Sequence, residues 1–209
     1  NLMNTYGDNG NLLMLQHRAK KFGYEVETTL ISLEEDFNPE EFDIVMFGGG
    51  QDYEQTVVAK DLQNKKDTLI EYIEDDGVVV AICGGFQLLG RYYVNASGER
   101  LNGISAIDVC TNGQFPNRLI GDVEIFNEEF GETYLGYENH IGRTYLGKNM
   151  KPLGKVVKGF GNNEEDHAEG CHYKNVFCSY FHGPILVRNQ HLTDRIIQTA
   201  AQRRLEKNA

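Results

Sequence analysis

The chain has 209 residues, 40% of them hydrophobic, with 31 acidic against 20 basic side chains and a net charge of −11. That length suits one compact domain with a sizeable core, and the acidic balance excludes a nucleic-acid footprint or attraction to anionic lipid surfaces. No apolar run reaches the length of a membrane span and no signal peptide is visible.

The four cysteines, Cys83, Cys110, Cys171 and Cys178, show no short paired spacing. A disulfide framework is therefore not expected, and a reducing, cytoplasmic compartment is. The chain starts at Asn1 rather than methionine, so a short N-terminal segment is expected to be missing.

Asp8-Asn9-Gly10-Asn11 offers a turn and an N-cap. Leu12, Leu15, Ala19 and Phe22 follow at helical spacing, and Gly23 supplies a stop. Residues 24–31 alternate and are β-rich, which predicts a strand. Residues 42–47, FDIVMF, are a short apolar run ending in Gly48-Gly49-Gly50, as a buried parallel strand feeding a tight loop would be. Residues 64–75 predict a helix with Leu69, Ile70 and Ile73 inward, closed by Gly77. Residues 78–82 read as the next buried strand.

This α, β, β, α, β, α rhythm predicts an α/β fold with an open, mostly parallel sheet flanked by helices. From Ile104 to about Tyr180 the segments are short and alternating, which adds antiparallel strands. Residues 161–170, GNNEEDHAEG, are expected to be a solvated loop, and the last fifteen or so residues a helix. With no repeat or linker, residues 1–209 form a single domain.

The stretch VVVAICGGFQLLG places Cys83 between a buried strand and a helix. Such a junction exposes the turn residue at the carboxyl edge of the sheet, where open α/β sheets bind ligands. This is the nucleophile-elbow pattern with Cys in place of Ser. A helix starting near Gly84 would favour the thiolate, and the Gly84 N–H could stabilise an oxyanion. The plainer alternative is a buried structural cysteine.

A thiol nucleophile needs a base. His17, His167 and His191 fall on expected surface positions, His140 in a polar segment, and His172 in a strand. His182 ends the apolar run VFCSYF just before Gly183-Pro184, so it too stands at a strand end and could meet Cys83 across the crevice. Cys171, His172, Cys178 and His182 do not repeat a paired metal-ligand spacing, so no metal is expected.

AICGGFQLLG resembles the nucleophile segment of class I glutamine amidotransferases, SYFHGP the histidine segment of the branch related to cobyric acid synthase, and FGGGQDYEQ that branch's glycine-rich oxyanion loop. With MNTYGDNGN, GYENHIGRT and HGPILVRNQHLTDRII, the ordered set resembles the glutaminase subunits of lipid II isoglutaminyl synthases over nearly the whole chain.

The resemblance implies that Cys83 attacks glutamine, His182 serves as base and acid, and the N–H groups of Gly49, Gly50 and Gly84 hold the oxyanion. It also implies that Arg118 and Gln87 bind substrate. The implied partner is a MurT-like Mur ligase subunit that carries ATP and Mg, with no cofactor on this chain. Through that partner the complex would bind lipid II and amidate its D-glutamate.

Two departures matter. Ala81 replaces a glycine common in relatives, and Pro184 stands where many class I enzymes place a glutamate, two residues after the histidine. Either a Cys–His dyad suffices, or an acid comes from elsewhere; the resemblance implies an aspartate of the partner. The amidotransferase part of a cobyric-acid-synthase-like enzyme is an alternative, but no G-x-x-x-x-G-K-[ST] phosphate loop accompanies this chain. A non-catalytic scaffold of the same fold is another, and the presence of both Cys83 and His182 argues against it.

Overall fold

The computed structural model describes residues 7–209, so the first four residues of MNTYGDNGN lie outside the described residues. Helix α1 (Asn9–Lys21) is followed by a coil, then strand β1 (Ile44–Phe47), helix α2 (Asp52–Glu74), strand β2 (Val78–Ile82) and helix α3 (Gly84–Leu89). Three short strands come next, β3 (Tyr92–Val94), β4 (Arg100–Asn102) and β5 (Val109–Asn112). The long strands β6 (Leu119–Asn127) and β7 (Glu132–His140) lead to β8 (Arg143–Leu146), β9 (Gly154–Lys158), β10 (Ala168–Glu169) and β11 (Cys171–Tyr173). The chain finishes with β12 (Val176–Ser179), β13 (Phe181–His182), α4 (Ile185–Arg188) and α5 (Gln190–Lys207).

The central sheet has the order β1-β2-β12-β11, with β1, β2 and β12 parallel and β11 antiparallel. β2 is fully buried because both of its edges and both of its faces are covered. Its alternating side chains serve two cores. Val78, Val80 and Ile82 pack with Leu15 of α1, with Ile196 and Ile197 of α5, and with Val123, Ile125 and Phe181 of the antiparallel part. Val79 and Ala81 pack on the other face with Leu69 and Ile73 of α2, with Phe86, Leu88 and Leu89 of α3, and with Val109 of β5. Each fully buried Leu or Ile contributes about 1.5–3 kcal/mol, so this double-faced strand anchors the fold.

The antiparallel additions form two further sheets, β10-β9-β6-β7-β13 and β4-β3-β5-β8, the second containing one parallel pair, β3 with β5. The short β13 carries the chain directly from the central sheet, through β12, onto the edge of β7.

Two sequence expectations are corrected. Residues 24–31 form no strand but run as coil, and among the described residues β1 pairs only with β2. Alternation alone cannot make a strand where no ladder partner is engaged. Residues 161–170 are not a solvated loop throughout. Asn162 and Asn163 are buried, Asn162 exchanging hydrogen bonds with the Gly170 backbone and Asn163 donating to Thr144 O, so only the middle reaches solvent. The helix expected over residues 64–75 begins earlier, at Asp52, and the terminal helix spans Gln190–Lys207.

Candidate active site

Cys83 follows the last residue of β2 and immediately precedes α3. Its backbone sits at φ 50 and ψ −105, a strained conformation for a residue with a side chain. Strain of this kind costs on the order of 1–3 kcal/mol and persists where surrounding bonds enforce it. Here Cys83 N donates to Ser179 O, Gln87 N donates to Cys83 O, and Gly85 N donates to Gly48 O. Gly85 has no room for a side chain: a Cβ would lie 2.5 Å from Phe47 Cβ. That close approach is why a second glycine follows Cys83, and it presses the loop after β1 against the start of α3.

His182 arrives from the neighbouring strand end. β12 lies beside β2, and the chain then steps into β13, leaving His182 buried beside the nucleophile, with Cys83 among the groups that raise its basicity. His182 Nδ1 is 3.3 Å from Asp8 Oδ1, and Asp8 Oδ2 accepts the Gly49 N–H at 2.7 Å. Burial lowers the basicity of His182, but Asp8 and Cys83 outweigh it and push its pKa up to about 9. The imidazole is therefore charged at neutral pH, with Nδ1–H aimed at Asp8. Gly49 lies at the centre of the cluster: a Cβ there would be 3.1 Å from Asp8 Oδ2, 3.3 Å from Cys83 Cβ and 3.4 Å from His182 Cε1.

Asp8 was expected only as part of a turn and N-cap. It precedes α1 but makes no side-chain cap; its carboxylate serves His182 and Gly49 instead. The packing that delivers it is specific. A Cβ on Gly10 would lie 2.3 Å from Pro184 Cγ, so the start of α1 rests directly on the turn after His182. Asn11 Oδ1 also accepts Leu186 N at 2.9 Å. A carboxylate of this chain thus stands beside His182, although position 184 itself offers none.

The other expected residues fall as follows. Gly84 opens α3, so its N–H has no intrahelical acceptor. Gly50 adjoins Gly49, whose own N–H is committed to Asp8. Gln87 is buried, its Oε1 accepting from Gln55 Nε2 at 2.6 Å and its Nε2 donating to Tyr180 Oη at 3.0 Å. Arg118 is exposed and anchored on Asn139, through Nε to Oδ1 and Nη2 to the backbone oxygen, both at 2.9 Å.

His140 is buried and stacked on Tyr180 with 3.7 Å between ring centroids. Cys171 and Cys178 are register partners, His172 stacks on Phe177, and all four cysteines are free. Among the described residues no group of three or more His, Cys, Asp or Glu side chains is arranged to hold a metal ion.

A strained cysteine at the end of a central parallel strand, beside a histidine that a buried carboxylate orients, is the constellation of a thiol-dependent acyl transferase. The chain belongs to the CobB/CobQ-like glutamine amidotransferase family, whose domain matches residues 1–190. It is 57% identical over 98% of its length to the lipid II isoglutaminyl synthase (glutamine-hydrolyzing) subunit GatD of Streptococcus pneumoniae, covering 78% of that protein. It is 43% identical over 97% of its length to the subunit of the same name from Staphylococcus aureus, covering 82% of it. In fold it matches a crystal structure of a glutamine amidotransferase with a TM-score of 0.60 at 17% identity, over 90% of this chain and 93% of that one.

Proposed function

We propose that this chain is the glutamine-hydrolysing subunit of a lipid II isoglutaminyl synthase. The observation that carries the reading is the convergence of Cys83, His182 and Asp8 around Gly49, in a chain 57% identical to a subunit so named.

With His182 holding the proton, Cys83 attacks the side-chain amide carbon of glutamine as the thiolate. The tetrahedral oxyanion forms against the N–H groups of Gly84 and Gly50; the Gly49 N–H joins them when its bond to Asp8 opens. His182 then protonates the leaving nitrogen, and ammonia departs from a γ-glutamyl thioester. Water, deprotonated by His182, attacks the thioester and releases glutamate and the thiolate. Asp8 stabilises the imidazolium and fixes its tautomer throughout.

Arg118, as a guanidinium fork, receives the substrate α-carboxylate, and Gln87 shapes the pocket wall. The ammonia passes to a MurT-like ligase partner that uses ATP and Mg to activate the D-glutamate carboxyl of the lipid II stem peptide. Among the described residues no helix is long and apolar enough to cross a membrane, and the proposed site of action is the cytoplasmic face, with lipid II held by the complex.

Diazo-oxo-norleucine, a glutamine-like electrophile, tests the reading. A mass increase confined to the Cys83 peptide, together with co-purification of a Mur-ligase-like protein, supports it. Absence of labelling in the presence of the partner rejects it.

A further inference from the structure

We propose that Asp122 receives the α-ammonium group of glutamine and sets the selectivity of the site for an α-amino acid amide. The proposal rests on the glutaminase reading and deepens it.

It begins from strand register. His182 is the register partner of Tyr137, and Tyr137 is the register partner of Asp122. Directly opposed residues of an antiparallel ladder point to the same side, so His182, Tyr137 and Asp122 form one row across β13, β7 and β6. Phe181, Val123, Ile125 and Tyr134, on the other face, are buried in the core. The His182 row therefore belongs to the outer face. At about 4.8 Å per strand, Asp122 stands roughly 10 Å from His182 between Cα atoms. A glutamine extended from Cys83, with the two side chains leaning in, spans that distance.

The neighbouring row on the same face contains Asn139 and its register partner Ile120. Asn139 is where the Arg118 guanidinium is anchored. Arg118 and Asp122 thus flank the Tyr137–Asn139 segment, a cation on one side and an anion on the other. Glutamine carries the complementary pair on its α-carbon. Asp122 is exposed and makes no hydrogen bond or ion pair among the described residues, which leaves its carboxylate available to a cation.

The other nearby carboxylates fit less well. Glu138 points inward and accepts Phe160 N and Gly161 N from a fully buried position. Glu124 lies a further row from His182, opposite Leu135. Glu54 belongs to the first turn of α2 and has one buried oxygen without a partner, which makes it the informative control.

The test compares L-glutamine with glutaramate, the same amide without the α-amino group, using the purified chain with its co-purified partner. Ammonia release is measured for the native chain, Asp122→Asn and Glu54→Gln. The native chain is expected to prefer glutamine. Asp122→Asn is expected to lower kcat/KM for glutamine by about tenfold to a hundredfold, mainly through KM, and to leave glutaramate unchanged, so that the preference collapses. Equal losses on both amides, no loss on either, or a collapse produced by Glu54→Gln instead would overturn the assignment. A native chain that hydrolyses neither amide would remove the glutaminase reading itself, and the assignment with it.

Discussion

Asp8 and His182 stand 174 positions apart in the chain and 3.3 Å apart in space, Oδ1 to Nδ1. The contact depends on Pro184, against which Gly10 packs without a side chain between them. The position where many relatives keep an acid is thus the platform that docks the element bringing one.

Replacing Asp8 with Asn keeps the shape and removes the charge that holds the imidazolium. Ammonia release should fall by between about a hundredfold and ten-thousandfold. The pH profile should move as well. His182 must be protonated to expel ammonia, and its pKa is raised to about 9, with Asp8 among the causes. The alkaline limb of the native rate profile should therefore lie near pH 9, and that of Asp8→Asn at lower pH. An unmoved limb would show that Asp8 does not govern His182.

Gly49 and Gly85 should separate activity from stability. An Ala Cβ at Gly49 meets Asp8, Cys83 and His182 at 3.1–3.4 Å, tight distances that shift catalytic groups more than core packing. Gly49→Ala should lose most activity while its Tm changes little. At Gly85 the obstacle is Phe47 Cβ at 2.5 Å and the Gly48 carbonyl at 3.1 Å. Gly85→Ala should destabilise by about 1–3 kcal/mol, read from a denaturant midpoint.

Arg118 is exposed, and its bonds to Asn139 are surface bonds. Arg118→Ala should change stability by no more than about 0.5 kcal/mol. The glutamine KM should rise by at least about tenfold through loss of a charge-assisted fork. An unchanged KM and rate would remove Arg118 from the substrate site.

Glu169 is fully buried, accepting Tyr180 N at 2.7 Å and the Ser179 hydroxyl, and burial pushes its pKa up to about 8. A carboxyl raised in this way favours the fold fully below its ordinary value of 4.5, and that favour is lost as pH rises through about 8. His182 acts in the same direction, its contribution present below 6.5 and lost through about 9. Thermal unfolding should show the native chain weakening between pH 5 and pH 9. Glu169→Gln, which mimics the neutral acid, should flatten that slope by an amount on the order of a few kcal/mol. A slope identical to the native one would contradict the assignment of Glu169 as a neutral group.

Cys83 and His182 were legible because each sits at a break after a run of apolar residues, a local pattern that survives without knowledge of the fold. The double-faced burial of β2 was legible for the same reason. Asp8 was not: a turn residue before a helix reads as a cap, and only the packing of Gly10 on Pro184 turns its carboxylate toward His182. The alternation of residues 24–31 misled because strand formation is decided by a partner ladder, which that segment lacks. The polar letters of residues 161–170 misled because Asn162 and Asn163 spend their amides on backbone groups inside the fold. Arg118 carried no spacing signal, and its proposed role rests on family resemblance alone.

The register of Val79 with Val176 has a consequence for synthesis of the chain. β2 and the thiol behind it leave the ribosome well before β12 exists to cover that edge or His182 to serve the sulfur. A growing or truncated chain that stops short of residue 176 therefore lacks His182 and presents an open, apolar strand edge to its surroundings. Such non-local pairing forms slowly, so Cys83 and His182 come together only once the C-terminal strands have been made and docked.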